Sequence, residues 1–172
     1  MEPQFPGLIL DALLLYWPAY LANMMPPVAG MLELPGGILI SRKIFGAHKT
    51  VRGFLSGIVG GMIGAWMLNL LGWSWYGGQS LTIALAAGGA IGAGALAGDL
   101  LKSACKRACA VPSGRPFPPF DQWDFLLGAT LVMAFIMPLT APVVLMAFAL
   151  TLGLHLVVNI LAFWLGFKAV WW

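Results

Sequence analysis

From Phe125 to Phe167 the chain carries no acidic or basic residue except His155. As one helix, at about 1.5 Å per residue, that run would extend roughly 65 Å. The hydrocarbon core of a bilayer is about 30 Å thick, so a run of this length has to cross and turn back once. Pro138 and Pro142 mark the turn, because proline lacks the amide hydrogen that the helical ladder needs and its ring clashes with the preceding turn. The rest of the chain points the same way. Of its 172 residues 60% are hydrophobic and only 9% charged, against about 25% charged in a soluble domain. A water-soluble core of this size could not hide so much apolar surface, so lipid is the solvent for most of it. The length suits one domain, residues 1–172.

Three further runs approach the roughly 20 apolar residues that a spanning helix requires. They are Leu8–Val28, interrupted by Asp11 and Asn23, then Phe54–Leu71 and Leu81–Leu101. Spans four and five are Trp123–Leu139 and Val143–Gly166. The predicted fold is an all-α integral membrane protein of about five transmembrane helices. Its polar loops are Glu33–Arg52 and Lys102–Gln122, and a short aromatic turn, Gly72–Ser80, suits the opposite interface. With five spans all nine Lys/Arg fall on one face: Arg42, Lys43, Lys49 and Arg52, then Lys102, Lys106, Arg107 and Arg115, and finally Lys168. The positive-inside rule makes that face cytoplasmic, with the N-terminus external and the C-terminus inside. The first apolar run is long and no basic segment precedes it, so a cleavable signal peptide is not expected.

The net charge of +3 is too small and too clustered for a nucleic-acid protein. Cys105 and Cys109 read as ordinary thiols, since no second pair accompanies them to complete a zinc site. Glycines recur four apart at Gly57/Gly61, Gly60/Gly64, Gly88/Gly92 and Gly94/Gly98. That spacing lets helix backbones approach closely in lipid and reads as packing. His155 and Asn159 share one side of span five and suit a helix-to-helix hydrogen bond. The sequence carries no signal for oligomeric state.

The polar chemistry gathers in the two basic loops. Asp99, Lys102, Ser103 and Lys106 stand at i, i+3, i+4 and i+7, so they share one face of a helix continuing span three, with Arg107 at its margin. A carboxylate at the membrane boundary is costly unless it is paired or binds a cation. One reading is a structural salt bridge between Asp99 and Lys102 or Lys106. The other is a metal-plus-phosphate site, with Asp for Mg²⁺ and Lys and Arg for phosphate oxygens. The second loop ends in Asp121 and Asp124, three apart at the start of span four. Capping explains one of these acids comfortably and two less well. Converging near Asp99, they would make a Mg²⁺ site, with Arg115 facing the phosphates. In the first loop Lys49, Thr50 and Arg52 lie between glycines just before a helix N-terminus, a plausible anion cradle. The GxxxxGK[ST] order of a P-loop is absent there. Asn23 precedes Met-Met-Pro-Pro at the end of span one and is a candidate to line the same site.

These motifs, in order, resemble the membrane CTP transferase family typified by CDP-diacylglycerol synthase. The carrying residues are Ser103-x-x-Lys106-Arg107 followed by Pro112-Ser-Gly-Arg-Pro-x-x-Pro-x-Asp121-x-x-Asp124. Gly46-x-x-Lys49-Thr50-x-Arg52-Gly53 and Asn23-x-x-Pro26-Pro27 also resemble family motifs. The bacterial Lys-Asp pair is replaced by Ala108-Cys-Ala-Val and the His-Gly-Gly by Gly114-Arg-Pro, which favours the short archaeal branch. The resemblance implies transfer of a cytidylyl group from CTP to a lipid phosphate, in the archaeal branch a geranylgeranyl glycerol-ether phosphate. It implies Mg²⁺ at Asp99, Asp121 and Asp124, with Lys49, Arg52, Lys102, Lys106 and Arg115 on phosphates. A CTP-dependent prenol or dolichol kinase and a small transporter are the competing readings.

Overall fold

The computed structural model describes residues 5–73, 79–111 and 120–164. They form seven helices: α1 (Phe5–Leu15), α2 (Trp17–Met31), α3 (Arg42–Phe45), α4 (Val51–Leu70), α5 (Leu81–Ala108), α6 (Phe120–Ile136) and α7 (Ala141–Trp164). No strand occurs among the described residues, only an isolated antiparallel bridge between Leu39 and Thr50.

The first apolar run differs from the single span expected of it. It breaks at Tyr16 into α1 and α2, which are bent by 47°. Pro18 is the cause, since it cannot donate to the carbonyl of Leu14 and its ring crowds that carbonyl. The ladder resumes on either side through Tyr16 N–H to Ala12 O and Tyr20 N–H to Tyr16 O. Pro26 and Pro27, by contrast, are accommodated inside α2. The turn expected at Pro138 and Pro142 is present: α6 stops at Ile136 and α7 starts at Ala141.

α4 and α5 are each long and apolar enough to cross a membrane, and the bent α1–α2 pair would together make a third span. α6 has 17 residues, and the apolar stretch described in α7, Ala141–Val157, is also shorter than a full span by this measure.

The helices pack in the order α2, α4, α5, α6, and α7 joins α6 to α1. Tyr16, Leu15, Leu68, Ile91, Leu126 and Met133 are fully buried in the shared core. Large apolar side chains such as Phe135, Leu145 and Trp164 face outward, as expected where lipid is the surrounding solvent. Two hydroxyl pairs tie the bend to the last helices: Tyr16 to Thr130 at 2.6 Å and Tyr20 to Thr151 at 2.7 Å. Both threonines donate to their own helix, to Leu126 O and Ala147 O, so the tyrosines are the donors in the pairs.

The glycine spacing works as packing. A Cβ on Gly61 would collide with the carbonyl of Gly88, and a Cβ on Gly98 with the carbonyl of Asp124. Substitution is therefore blocked by backbone rather than by a movable side chain. The second crossing sets α6 directly against the polar end of α5.

Candidate active site at the charged end of the bundle

α5 continues unbroken from its apolar half to Ala108, so the predicted face of Asp99, Lys102, Ser103 and Lys106 exists as one helical stripe. The glycine contact at Gly98 brings the first turns of α6 against it. Asp121 and Asp124 then meet the stripe from the other side. The Lys102 ammonium lies 3.2 Å from Asp99 Oδ1, 3.2 Å from Asp121 Oδ1 and 2.6 Å from Asp124 Oδ2. Lys106 reaches Asp121 at 3.3 Å. Lys49, carried by the first loop, donates to Asp99 Oδ2. Asp124 is only 6% exposed and also accepts from the Phe125 N–H at 2.6 Å.

The first loop reaches α5 because it folds back on itself. Ile40 N–H donates to Lys49 O, Val51 N–H to Ile38 O and Arg52 N–H to Gly36 O, each at 2.9 Å. Thr50 is the N-cap of α4 and accepts from Gly53 N–H at 3.1 Å. Helix α4 accordingly begins three residues before the expected Phe54. Arg52 donates to Leu34 O at 2.6 Å, with its guanidinium over Gly30 and Gly37. It fastens the loop as well as lining a cavity. Ser103 donates to the carbonyl of Asp99 at 2.8 Å, which turns its hydroxyl toward its own helix.

Three cavities meet at this cluster. An apolar one of about 420 Å³ lies between α5 and α6, walled by Leu101, Phe120, Leu127 and Leu131, floored by Gly98 and Gly128, and closed at one end by Lys102 and Asp124. Cys105 also lines it. A second, of about 460 Å³, lies among α2, the first loop, α4 and α5; Pro26, Pro27, Ile40, His48, Lys49, Thr50, Arg52 and Asp99 face it. A third, of about 160 Å³, is strongly cationic, lined by Phe45, His48, Lys49, Lys102, Ser103, Lys106 and Arg107. Among the described residues the buried Nε of Arg107 has no hydrogen-bond partner.

The structure thus brings together Asp99, Lys102, Lys106, Asp121, Asp124 and Lys49, with Ser103, Arg107, Thr50 and Arg52 around them. Asn23 is exposed on α2 and lines none of the three cavities. Arg115, Lys168 and the side chain of Asn159 lie outside the described residues. His48 and Phe45 were not anticipated. Their signal was position alone, in the basic loop beside Lys49.

Among the described residues no group of three acidic, His or Cys side chains is arranged to hold a metal ion as it stands. The Lys102 ammonium instead stands within 3.2 Å of one oxygen of each of Asp99, Asp121 and Asp124. The chemistry of the donor set is that of a hard divalent ion's ligands, although the side chains are not arranged around one. Its donors are all carboxylate oxygens, the preference of Mg²⁺, and a cation already stands at their focus.

The whole described fold has known counterparts. The family model described as "CarS-like: CDP-archaeol synthase" matches residues 5–172. A CDP-archaeol synthase of Aeropyrum pernix is 38% identical over 168 residues, covering 95% of this chain and 92% of the relative. One from Pyrococcus abyssi is 36% identical over 175 residues, covering 95% and 98%. A solved structure described as an intramembrane enzyme for archaeal membrane lipids biosynthesis is 35% identical, with a TM-score of 0.72, and covers 88% of this chain and 94% of that one.

Proposed function

The chain belongs to the CarS-like CDP-archaeol synthase family, and on that premise we propose how its charged end performs a CTP-dependent cytidylyl transfer to a lipid phosphate. The observation that carries the reading is the meeting of an apolar, a mixed and a cationic cavity at one cluster of acids and lysines. A reaction between a nucleotide and a bilayer lipid needs those three environments within bonding distance of one another.

In this reading the acceptor, 2,3-bis-O-geranylgeranyl-glycerol 1-phosphate, lays its chains in the α5–α6 cavity. Its phosphate stops at Lys102, the charged end of that cavity. The nucleoside of CTP takes the mixed cavity, and the β- and γ-phosphates take the cationic one, against Lys49, Lys106 and Arg107. An oxygen of the lipid phosphate attacks the α-phosphorus in line. The bond from the α-phosphorus to the bridging oxygen of the β-phosphate breaks, and pyrophosphate leaves with the electron pair. No covalent protein intermediate is required. Asp99, Asp121 and Asp124 would hold Mg²⁺, which when bound supplies charge neutralisation at the phosphates. Lys49 and Lys106, already beside the cationic cavity, would stabilise charge as it develops on the leaving group. The proposed topology is five spans, with α1 and α2 as one, the N-terminus external and the charged end cytoplasmic. It places every one of the nine Lys/Arg on the cytosolic side.

Incubation of the purified protein with labelled CTP and the ether-lipid phosphate is expected to release pyrophosphate in step with CDP-lipid. Release of CDP with a newly phosphorylated lipid would instead indicate a kinase moving the γ-phosphoryl. The cavity assignment has its own expected outcome. Leu131→Trp fills the end of the apolar cavity far from Lys102 and raises KM for the lipid phosphate by about tenfold while KM for CTP holds. An equal rise in both would remove the lipid from that cavity.

A further inference from the structure

Three carboxylates from two helices aim at a single ammonium, although an ordinary i,i+3 pair would require Asp99 alone. We propose that Lys102 is a displaceable occupant of the metal position, and that a divalent ion enters as the triphosphate draws Lys102 out. This rests on the reading of Asp99, Asp121 and Asp124 as the metal ligands.

Two features of the cluster carry the inference. The first is occupancy. Mg²⁺ binds carboxylate oxygens at about 2.0–2.1 Å. The Lys102 ammonium already stands 2.6 Å to 3.2 Å from one oxygen of each acid. Both cations cannot hold the same focus. The second is charge. Lys49, Lys102 and Lys106 contact Asp99, Asp121 and Asp124, so each carboxylate already has a cationic partner. A divalent ion added alone leaves two uncompensated positive charges beside a nearly buried aspartate, which is unfavourable. A triphosphate brings the missing negative charge.

Lys102 also has somewhere to go. It lines both the apolar and the cationic cavity, so a rotation of its flexible stem moves the ammonium from the carboxylates toward a phosphate in either. The residue therefore couples the two events: nucleotide vacates the metal position, and metal releases Lys102 to the phosphates. Metal and nucleotide then bind with positive linkage, each raising the affinity of the other.

Mn²⁺ binding to the purified, nucleotide-free protein, followed by electron paramagnetic resonance and calorimetry, tests this without turnover. Lys102→Met is expected to bind Mn²⁺ about tenfold more tightly than the wild type, because a competing charge has left the site. Lys102→Arg retains the cation and is expected to stay weak. If the methionine variant does not fold, Lys102→Gln serves the same comparison. Asp124→Asn, placed in the Lys102→Met background, is expected to lose the site. If Lys102→Met binds no more tightly than wild type while Asp124→Asn still abolishes binding, the exchange is overturned and the metal ligands stand. If Asp124→Asn changes nothing in that background, the ligand assignment fails and the exchange fails with it.

Discussion

Asp124→Asn should reduce CTP-dependent turnover by about 10³-fold, near the upper end of what single electrostatic groups contribute in active sites. Asp124 is the least exposed acid of the cluster and stands nearest to Lys102, at 2.6 Å. Asparagine keeps the shape and removes the charge, so the protein should remain folded while the charge facing Lys102 is lost. Asp121→Asn should fall less, by about tenfold, because Asp121 is more exposed and is shared with Lys106. Steady-state kinetics on both variants, with thermal unfolding as the folding control, checks the ranking. Full turnover in Asp124→Asn would overturn its proposed metal role.

The second large effect belongs to a residue with no functional group. Gly98→Ala puts a methyl onto the backbone carbonyl of Asp124, where α5 and α6 cross. Backbone cannot rotate aside as a side chain can, so α6 must move. Overpacking of this kind costs about 1–3 kcal/mol or more. The displaced helix carries Asp121 and Asp124, so kcat should fall further than stability alone explains. Gly153→Ala is the control: nothing lies within 4 Å of the added carbon, and both Tm and kcat should hold. If Gly98→Ala left the unfolding temperature and kcat at wild-type values, the close crossing would be wrong.

The sequence alone discloses whatever depends on spacing along one chain segment. The stripe on α5 follows from 3.6 residues per turn, and the turn at Pro138 and Pro142 follows from a run too long for one crossing. The break at Tyr16 was hidden because α2 contains three prolines. Only Pro18, near its start, sits at the break, while Pro26 and Pro27 are absorbed inside the helix. Asn23 looked like a site residue by its neighbours but faces away from the cavities, since a shift of a few residues on a helix changes the face presented. Arg52 shows the opposite case: its charge suggested phosphate, and its hydrogen bond to Leu34 shows that it also fastens the loop. The focus of three acids on Lys102 was not legible at all. It depends on which helices meet, and the glycine contact that joins α5 to α6 specifies closeness without naming the partner.

The charged cluster also has a history in time. Its basic members at 49, 102 and 106 leave the ribosome before Asp121 and Asp124, so the half-made chain carries these three lysines with Asp99 as their only acid in the cluster. In the proposed topology that temporary surplus is a retention signal, holding the end of α5 in the cytosol while insertion is still being decided. The two aspartates of α6 then arrive and cancel it. In that topology the side chains that set orientation would afterwards be available for chemistry.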